Sequence, residues 1–366
     1  MQETEIVVIG AGVIGLSTAL RLRQAGKEVT ILERGAAGKE ASWAGGGILS
    51  PLHAWRYRPA LLELAREGMR QYPDFAREIH SATGIDPEFQ ASGMWILDSP
   101  QSPASADLVD WAATWGWGWQ WYSAAQMRER APMLRTGAAL FCPEVAQVRN
   151  PRLLAGLARY IGQLGVSVYE QHEVQEIRPD GSGWIISAAD TQFRADQILL
   201  SSGSWSAKIL SKIGIQLPIR PVRGQILLLQ GQVAALPQVV LEGSHYLVQR
   251  ADGQILVGST SEEAGFDKSC TANAAEELLA FAHRVFPASR EATLLRHWSG
   301  LRPGSPDNIP FLGEVPEHPG IFVASGHFRY GLTLAPVTAE LMRDRILGRP
   351  IHLDLRPYGL PIPSKA

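Results

Sequence analysis

Gly10, Gly12, Gly15 and Glu33 are the residues whose types and spacing first specify chemistry in this chain. The glycines fall in the run G-A-G-V-I-G, and Glu33 follows 18 residues after the last of them. Each has a physical task in holding a dinucleotide. Gly10 permits a tight turn out of a strand. Gly12 has no Cβ, so a pyrophosphate can approach the backbone. Gly15 lets a helix pack closely on the strand before it. The helix start then offers unpaired N–H groups and the positive end of its dipole to phosphate oxygens. Glu33 can accept hydrogen bonds from ribose hydroxyls. A carboxylate there disfavours a 2′-phosphate, which argues against NADP although Arg34 follows. The glycine spacing alone leaves FAD and NAD both open.

These residues need a strand–helix–strand unit to position them, and the sequence supplies one. Residues 5–9 (E-I-V-V-I) read as a short buried strand, 16–24 as a helix closed by Gly26, and 29–32 as a second strand ending at Glu33. Other glycine-rich stretches suggest further backbone approach to a ligand. Residues 41–49 contain Gly45, Gly46 and Gly47 in succession, as expected where backbone lies against something flat or bulky. Ser42 could bond a phosphate or cap a helix. A buried strand at 195–200 runs into S-S-G-S-W, a second strand–glycine turn–helix suited to packing against the cofactor from the other side. A last buried strand at 321–325 leads to the glycine-flanked turn 326–331 and a closing helix at 332–347.

At 366 residues the chain is long enough for two domains, or for one domain carrying an insertion. Its 34 basic and 36 acidic residues give a net charge of −2, so there is no electrostatic case for nucleic acid. Cys142 and Cys270 form no C-x-x-C, zinc spacing or disulfide framework, which fits a reducing compartment. No run reaches the roughly 18 apolar residues of a membrane span, and a soluble cytoplasmic protein is expected. Residues 59–83 have helical periodicity. Residues 89–97 resemble a hairpin arm, and 99–105 an exposed Pro/Ser turn. Trp115, Trp117, Trp119 and Trp121 alternate with period two, as on one face of a strand; with Trp111 they suggest a core or subunit-interface face rather than an aromatic cage. Short helices are expected at 123–130, 152–164 and 274–285, and strands at 166–169, 173–177 and 184–187. Strands at 221–229, 245–248 and 254–257 suggest an antiparallel sheet outside the parallel core. Residues 298–303 are expected to lead into an irregular segment.

Four runs together give the chain a family likeness: G-A-G-V-I-G at 10–15, S-S-G-S-W-S at 201–206, W-S-G-L-R-P at 298–303 and G-H-F-R-Y-G at 326–331. On these the chain resembles the D-amino-acid oxidase family of flavoproteins over nearly its whole length, and within it the glycine oxidases of the thiamine-biosynthesis type. The resemblance implies an α/β fold, a Rossmann-like FAD-binding domain with an inserted, mainly antiparallel α+β substrate domain. By position the FAD-binding domain would comprise 1–85, 141–220 and 296–366, and the substrate domain 86–140 and 221–295. FAD would be non-covalent, because the cysteine that attaches flavin in sarcosine oxidases has no counterpart between Trp298 and Gly331.

The resemblance also assigns residues. Val13 and Ile14 would lie at the pyrophosphate, and Glu33 and Arg34 at the adenosine. Ala41 and Ser42, with Gly46, Gly47 and Ile48, would line the phosphate and flavin, and Val174 would meet adenine through its backbone. His327, Phe328, Arg329, Tyr330, Gly331, Leu332 and Thr333 would wrap the pyrimidine end of the flavin. Arg302 would clamp a substrate carboxylate, Tyr246 would offer its hydroxyl, and Arg329 would stand at the pocket edge. The implied reaction oxidises glycine, sarcosine or small D-amino acids by hydride transfer, giving an oxo acid, ammonia and H2O2 with O2 as acceptor. A dehydrogenase of the same fold, with a non-oxygen acceptor, is the alternative. Ile48 and Ser261 stand where some glycine oxidases carry methionine, leaving substrate rank open. A homotetramer is the oligomer the resemblance suggests.

Overall fold

The computed structural model describes residues 1–97, 105–231 and 233–361. The first strand, Gln2–Ile9, is buried on both faces at its C-terminal end. Ile6 and Val8 join one apolar cluster while Val7 and Ile9 join another. That two-sided burial is what a strand inside a parallel sheet requires. It pairs in parallel with Val29–Leu32 on one side and Thr191–Leu200 on the other. The sheet continues outward to Ser167–Tyr169 at one edge, and through Ile321–Ser325 to Phe311–Glu314 at the other. Val174–Asp180 and Gly183–Ala188 form an antiparallel extension on Thr191–Leu200. Helices Val13–Gln24, Pro59–Thr83, Asn150–Gln163 and Gly331–Ile346 pack with one another over one face.

A second sheet is mainly antiparallel. Its order is Thr293–Gly304, Arg220–Gln230, Ile255–Gly258, His245–Gln249, Val239–Glu242, Met94–Leu97, Ala139–Cys142 and Gln120–Tyr122. The helix Ala272–Val285 covers one face through Leu278, Phe281 and Val285. The cleft described below lies between the two sheets.

Several expectations need correction. Residues 298–303 close the twelve-residue strand Thr293–Gly304, at the edge of the second sheet, and lead into the irregular segment expected after them, where the short turn Pro306–Asn308 holds Asp307 at φ = 53°. An edge strand tolerates its glycines and Pro303, and Gly300 is required because a Cβ there would lie 2.5 Å from that of Ala44. The 295/296 segment boundary therefore falls inside a strand of the second sheet, as does 140/141 within Ala139–Cys142. The hairpin arm at 89–97 reduces to the strand Met94–Leu97, which runs parallel to Val239–Glu242 and antiparallel to Ala139–Cys142.

The tryptophans do not share one strand. Trp111 is in the helix Ser105–Thr114, and only Trp121 is in a strand, Gln120–Tyr122. Trp117 and Trp119 stack at 5.5 Å within an apolar cluster shared with strands of the second sheet. Large rings can meet from a helix end and a loop, so sequence period is a poor guide to their faces. The turn expected at 99–105 lies largely outside the described residues.

Candidate active site

At one end of the cleft the glycine run behaves as its spacing requires. Gly10 has φ = 110°, and a Cβ on it would lie 2.7 Å from the Ser201 carbonyl oxygen. A Cβ on Gly15 would overlap the Gly10 carbonyl oxygen and approach Ser201 Oγ to 2.6 Å. The helix Val13–Gln24 starts with no side-chain cap from its own N-cap residue. Instead Val13 N–H donates to Ser42 Oγ at 3.0 Å. Ser42 is fixed in turn: Asn150 Nδ2 donates to the carbonyls of Ser42 (2.8 Å) and Gly45 (2.9 Å).

Glu33 is 7% exposed, and its carboxylate accepts from Ala11 N–H (2.8 Å) and Gly35 N–H (2.9 Å). Those two bonds hold it at the strand end, at the cleft wall. Arg34 lies 3.7 Å over the Trp205 ring and pairs with Glu40 at 2.8 Å. Val174 opens the strand Val174–Asp180, where its carbonyl accepts from Lys212 Nζ at 3.1 Å.

At the other end, glycines make room for two large polar side chains. A Cβ on Gly46 would lie 2.6 Å from the Tyr246 hydroxyl, and one on Gly258 would overlap the same ring. Tyr246 is thus slotted between two bare backbone segments. A Cβ on Gly224 would overlap the Arg302 guanidinium, which therefore lies flat across the neighbouring strand. Arg302 Nη1–H donates to the Thr260 carbonyl (3.1 Å) and Nη2–H to Ser259 Oγ (2.8 Å). Among the described residues no carboxylate pairs with Arg302 or Arg329. Burial, and then the nearby Arg329 cation, push the Arg302 guanidinium down to about 10. Burial pushes the Tyr246 phenol up, so it remains a protonated donor.

The turn at 326–331 carries Phe328 in the left-handed region (φ = 48°) and Arg329 above the Phe328 ring, with a buried Nε that has no partner. His327 is buried beside Thr338 Oγ1 at 3.2 Å, and burial pushes it down to about 3, so it is neutral. The helix Gly331–Ile346 begins here without a side-chain cap.

One partly open cleft joins the two ends. Its wall brings together Gly10, Gly12, Val13, Ile14, Glu33, Arg34, Ala41, Ser42, Gly46, Gly47, Ile48 and Val174 with Tyr246, Arg302, His327, Phe328, Arg329, Gly331 and Leu332. Three expected residues stand behind it. Gly15 packs against Gly10 and Ser201, Tyr330 is buried edge-on to Tyr57, and Thr333 Oγ1 reaches the Ile48 carbonyl at 3.5 Å. Ser261 is not in the wall. Asn150, Gly224, Gly258 and Ser259 escaped the sequence reading because each acts through a tertiary contact. The glycines among them carried the only signal, being out of place inside strands. Among the described residues no cluster of side chains could hold a metal ion, and no helix is long and apolar enough to cross a membrane.

A family model described as FAD dependent oxidoreductase (DAO) matches residues 5–345. Glycine oxidase of Pseudomonas putida is 39% identical over 97% of this chain and 98% of its own length. The bifunctional protein ThiO/ThiG of Synechocystis is 32% identical over 96% of this chain, which spans 53% of that protein. The crystal structure of glycine oxidase from Geobacillus kaustophilus superposes with a TM-score of 0.95, at 30% identity and 99% coverage of both chains.

Proposed function

The chain belongs to the DAO family of FAD-dependent oxidoreductases, and from that premise we propose that it deaminates glycine and other small amines or D-amino acids, such as sarcosine and D-alanine, oxidatively. The cleft fits the cofactor: Gly10 and Gly12 line it without side chains, Gly15 lets the helix sit close on the strand behind it, and the Val13–Gln24 helix points an N-terminus at it. Gly10, Gly12, Val13, Ile14, Glu33 and Arg34 would hold the ADP half. Gly46, Gly47, Ile48 and the turn from His327 to Leu332 would hold the flavin half. Bound FAD supplies a two-electron acceptor for the substrate Cα hydrogen, and its reoxidation by O2 accounts for peroxide.

The observation that carries the substrate reading is Arg302. Its guanidinium is braced by neutral acceptors, Thr260 O and Ser259 Oγ, with no carboxylate partner among the described residues. A braced cation without a counter-ion is suited to a carboxylate brought in by the substrate. A small amino acid offers little apolar surface, so a charged fork has to orient it. Tyr246 adds a donor from the strand His245–Gln249 of the same sheet. The substrate amine reacts neutral and needs no protein base, so the protein acts chiefly by positioning.

An anaerobic panel of glycine, sarcosine, D-alanine, D-proline and the L forms tests this reading. Flavin absorbance should bleach with glycine and the small D or N-methyl substrates. A yellow protein inert to all of them would end the proposal. About one peroxide per substrate consumed separates an oxidase from a dehydrogenase.

Arg302 also sets a pH dependence. Its charge is present below about pH 10 and lost as pH rises through that value. Glycolate has the carboxylate but no amine to titrate. Its dissociation constant should stay flat from pH 6 to 9 and then weaken steeply above about 10; a flat profile to pH 11 would contradict the clamp. Stability runs the other way, because the buried cation is a penalty below about pH 10 that is relieved as it loses its proton.

The likeness to the ThiO/ThiG protein supports delivery of the product to thiamine (thiazole) biosynthesis. The cysteines Cys142 and Cys270, both free, support a cytoplasmic location. A homo-oligomer, and specifically a homotetramer, completes the proposal.

A further inference from the structure

Arg250 is a buried cation, 7% exposed, just beyond the strand His245–Gln249 that carries Tyr246. It does not line the cleft. Its Nη1–H donates to Gln147 Oε1 at 2.8 Å and its Nη2–H to the Gly46 carbonyl at 2.9 Å. Among the described residues no carboxylate pairs with it. The acids whose field reaches it, Glu88 and Asp252, are both paired with Arg149. A buried cation braced by neutral acceptors is unfavourable for folding, so its effect on those acceptors is the thing to explain.

The effect follows from peptide geometry. In a planar trans peptide the C=O and N–H point to opposite sides. Arg250 grips the Gly46 carbonyl, which turns the Gly47 N–H away from Arg250. Asn150 grips the Gly45 carbonyl, which turns the Gly46 N–H away from Asn150. Neither amide donates to a protein acceptor among the described residues, and Gly46 and Gly47 both line the cleft. The position is pinned on its other sides as well. Gly47 has φ = 75°, with the Val148 carbonyl where its Cβ would be, and Gly46 Cα lies against the Tyr246 ring. One strand and its extension thus hold Gly46 twice, by Tyr246 on its Cα and by Arg250 on its oxygen.

We propose that Arg250 is a positioning residue that fixes the Gly46 and Gly47 amides as hydrogen-bond donors to the flavin, and that its buried charge raises the flavin's reduction potential. This rests on the reading of the cleft as the FAD site. Preorganised donors and a fixed positive charge favour the form of a ligand that gains negative charge, which for a flavin is the reduced one.

Three variants of the holoenzyme test it: Arg250→Met, Arg250→Lys and Gln147→Glu. The readouts are the FAD dissociation constant of the apoprotein and the two-electron midpoint potential measured against reference dyes. Arg250→Met should bind FAD at least tenfold more weakly and lower the potential by about 30 mV, the two-electron equivalent of a tenfold preference. Arg250→Lys keeps the charge and should recover the potential but not the affinity. Gln147→Glu offsets the charge while leaving the Gly46 contact, so it should lower the potential with FAD affinity near normal. Gln147 Nε2 has no partner, so that exchange breaks no bond. If Arg250→Met does not fold, Gln147→Glu carries the test. Potentials equal to wild type in folded Arg250→Met and Gln147→Glu overturn the proposal alone. A wild-type protein that binds no FAD overturns the reading of the cleft and the proposal with it.

Discussion

Replacing Arg302 by alanine should lower kcat/KM for glycine by at least two orders of magnitude, chiefly through a steep rise in KM, while the protein stays yellow. A hydrogen bond to a charged group contributes about 1.5–3 kcal/mol, and a two-pronged contact lies at the upper end. About 3 kcal/mol corresponds to a factor of more than a hundred. FAD content should not change, because the guanidinium is braced by Ser259 and Thr260, just past the strand Ile255–Gly258. Arg302→Lys should fall between wild type and alanine, since an ammonium keeps the charge but not the planar fork. Steady-state kinetics with glycine, alongside the flavin absorbance ratio, reads both effects. Near-normal kinetics in Arg302→Ala would remove the carboxylate clamp from the site.

Gly15→Ala should act in the opposite order, on the cofactor before the substrate. A Cβ there would overlap the Gly10 carbonyl oxygen and come 2.6 Å from Ser201 Oγ. Both neighbours are fixed, since Gly10 N–H bonds the Leu32 carbonyl and Ser201 bonds back to Ile9 and Gly10. The helix must therefore lift off the strand, at ~1–3 kcal/mol of overpacking, and the amides at its start move with it. The FAD dissociation constant should rise at least tenfold by fluorescence titration of the apoprotein, and the melting temperature should fall. Gly162→Ala is the control. It sits in the helix Asn150–Gln163 with open space around its Cβ position, so it should leave FAD binding untouched and stability equal or slightly improved. Equal FAD affinity in the Gly15 and Gly162 variants would refute the close-packing argument.

How much of this was legible in the sequence depended on how local each feature is. The glycine run, Glu33, the strand Ile321–Ser325 and the helix Pro59–Thr83 are local and could be read directly. Gly45, Gly46 and Gly47 announced a close backbone approach but not what approaches; Tyr246 and Arg250 do so from some 200 residues away. Arg302 was reachable only through family likeness, because nothing in S-G-L-R-P says where an arginine points. The tryptophan alternation misled, since five rings that meet in one cluster arrive from a helix, a loop and a short strand. Arg250 and Asn150 gave no signal, because their work is to grip backbone carbonyls, and any segment supplies those.

The edge strand Thr293–Gly304 has a consequence for the maturation of the protein. Trp298, Gly300 and Arg302 project from the same face. Trp298 Nε1 donates to the Ala44 carbonyl at 3.1 Å, Gly300 lies against Ala44, and Arg302 reaches Ser259 and Thr260. A slip of one residue against Arg220–Gln230 would turn all three to the opposite face and strip the 41–47 stretch of its support. Chains trapped in that misalignment would be colourless. A yellow molecule therefore needs its second sheet in register, although the dinucleotide fingerprint belongs to the first.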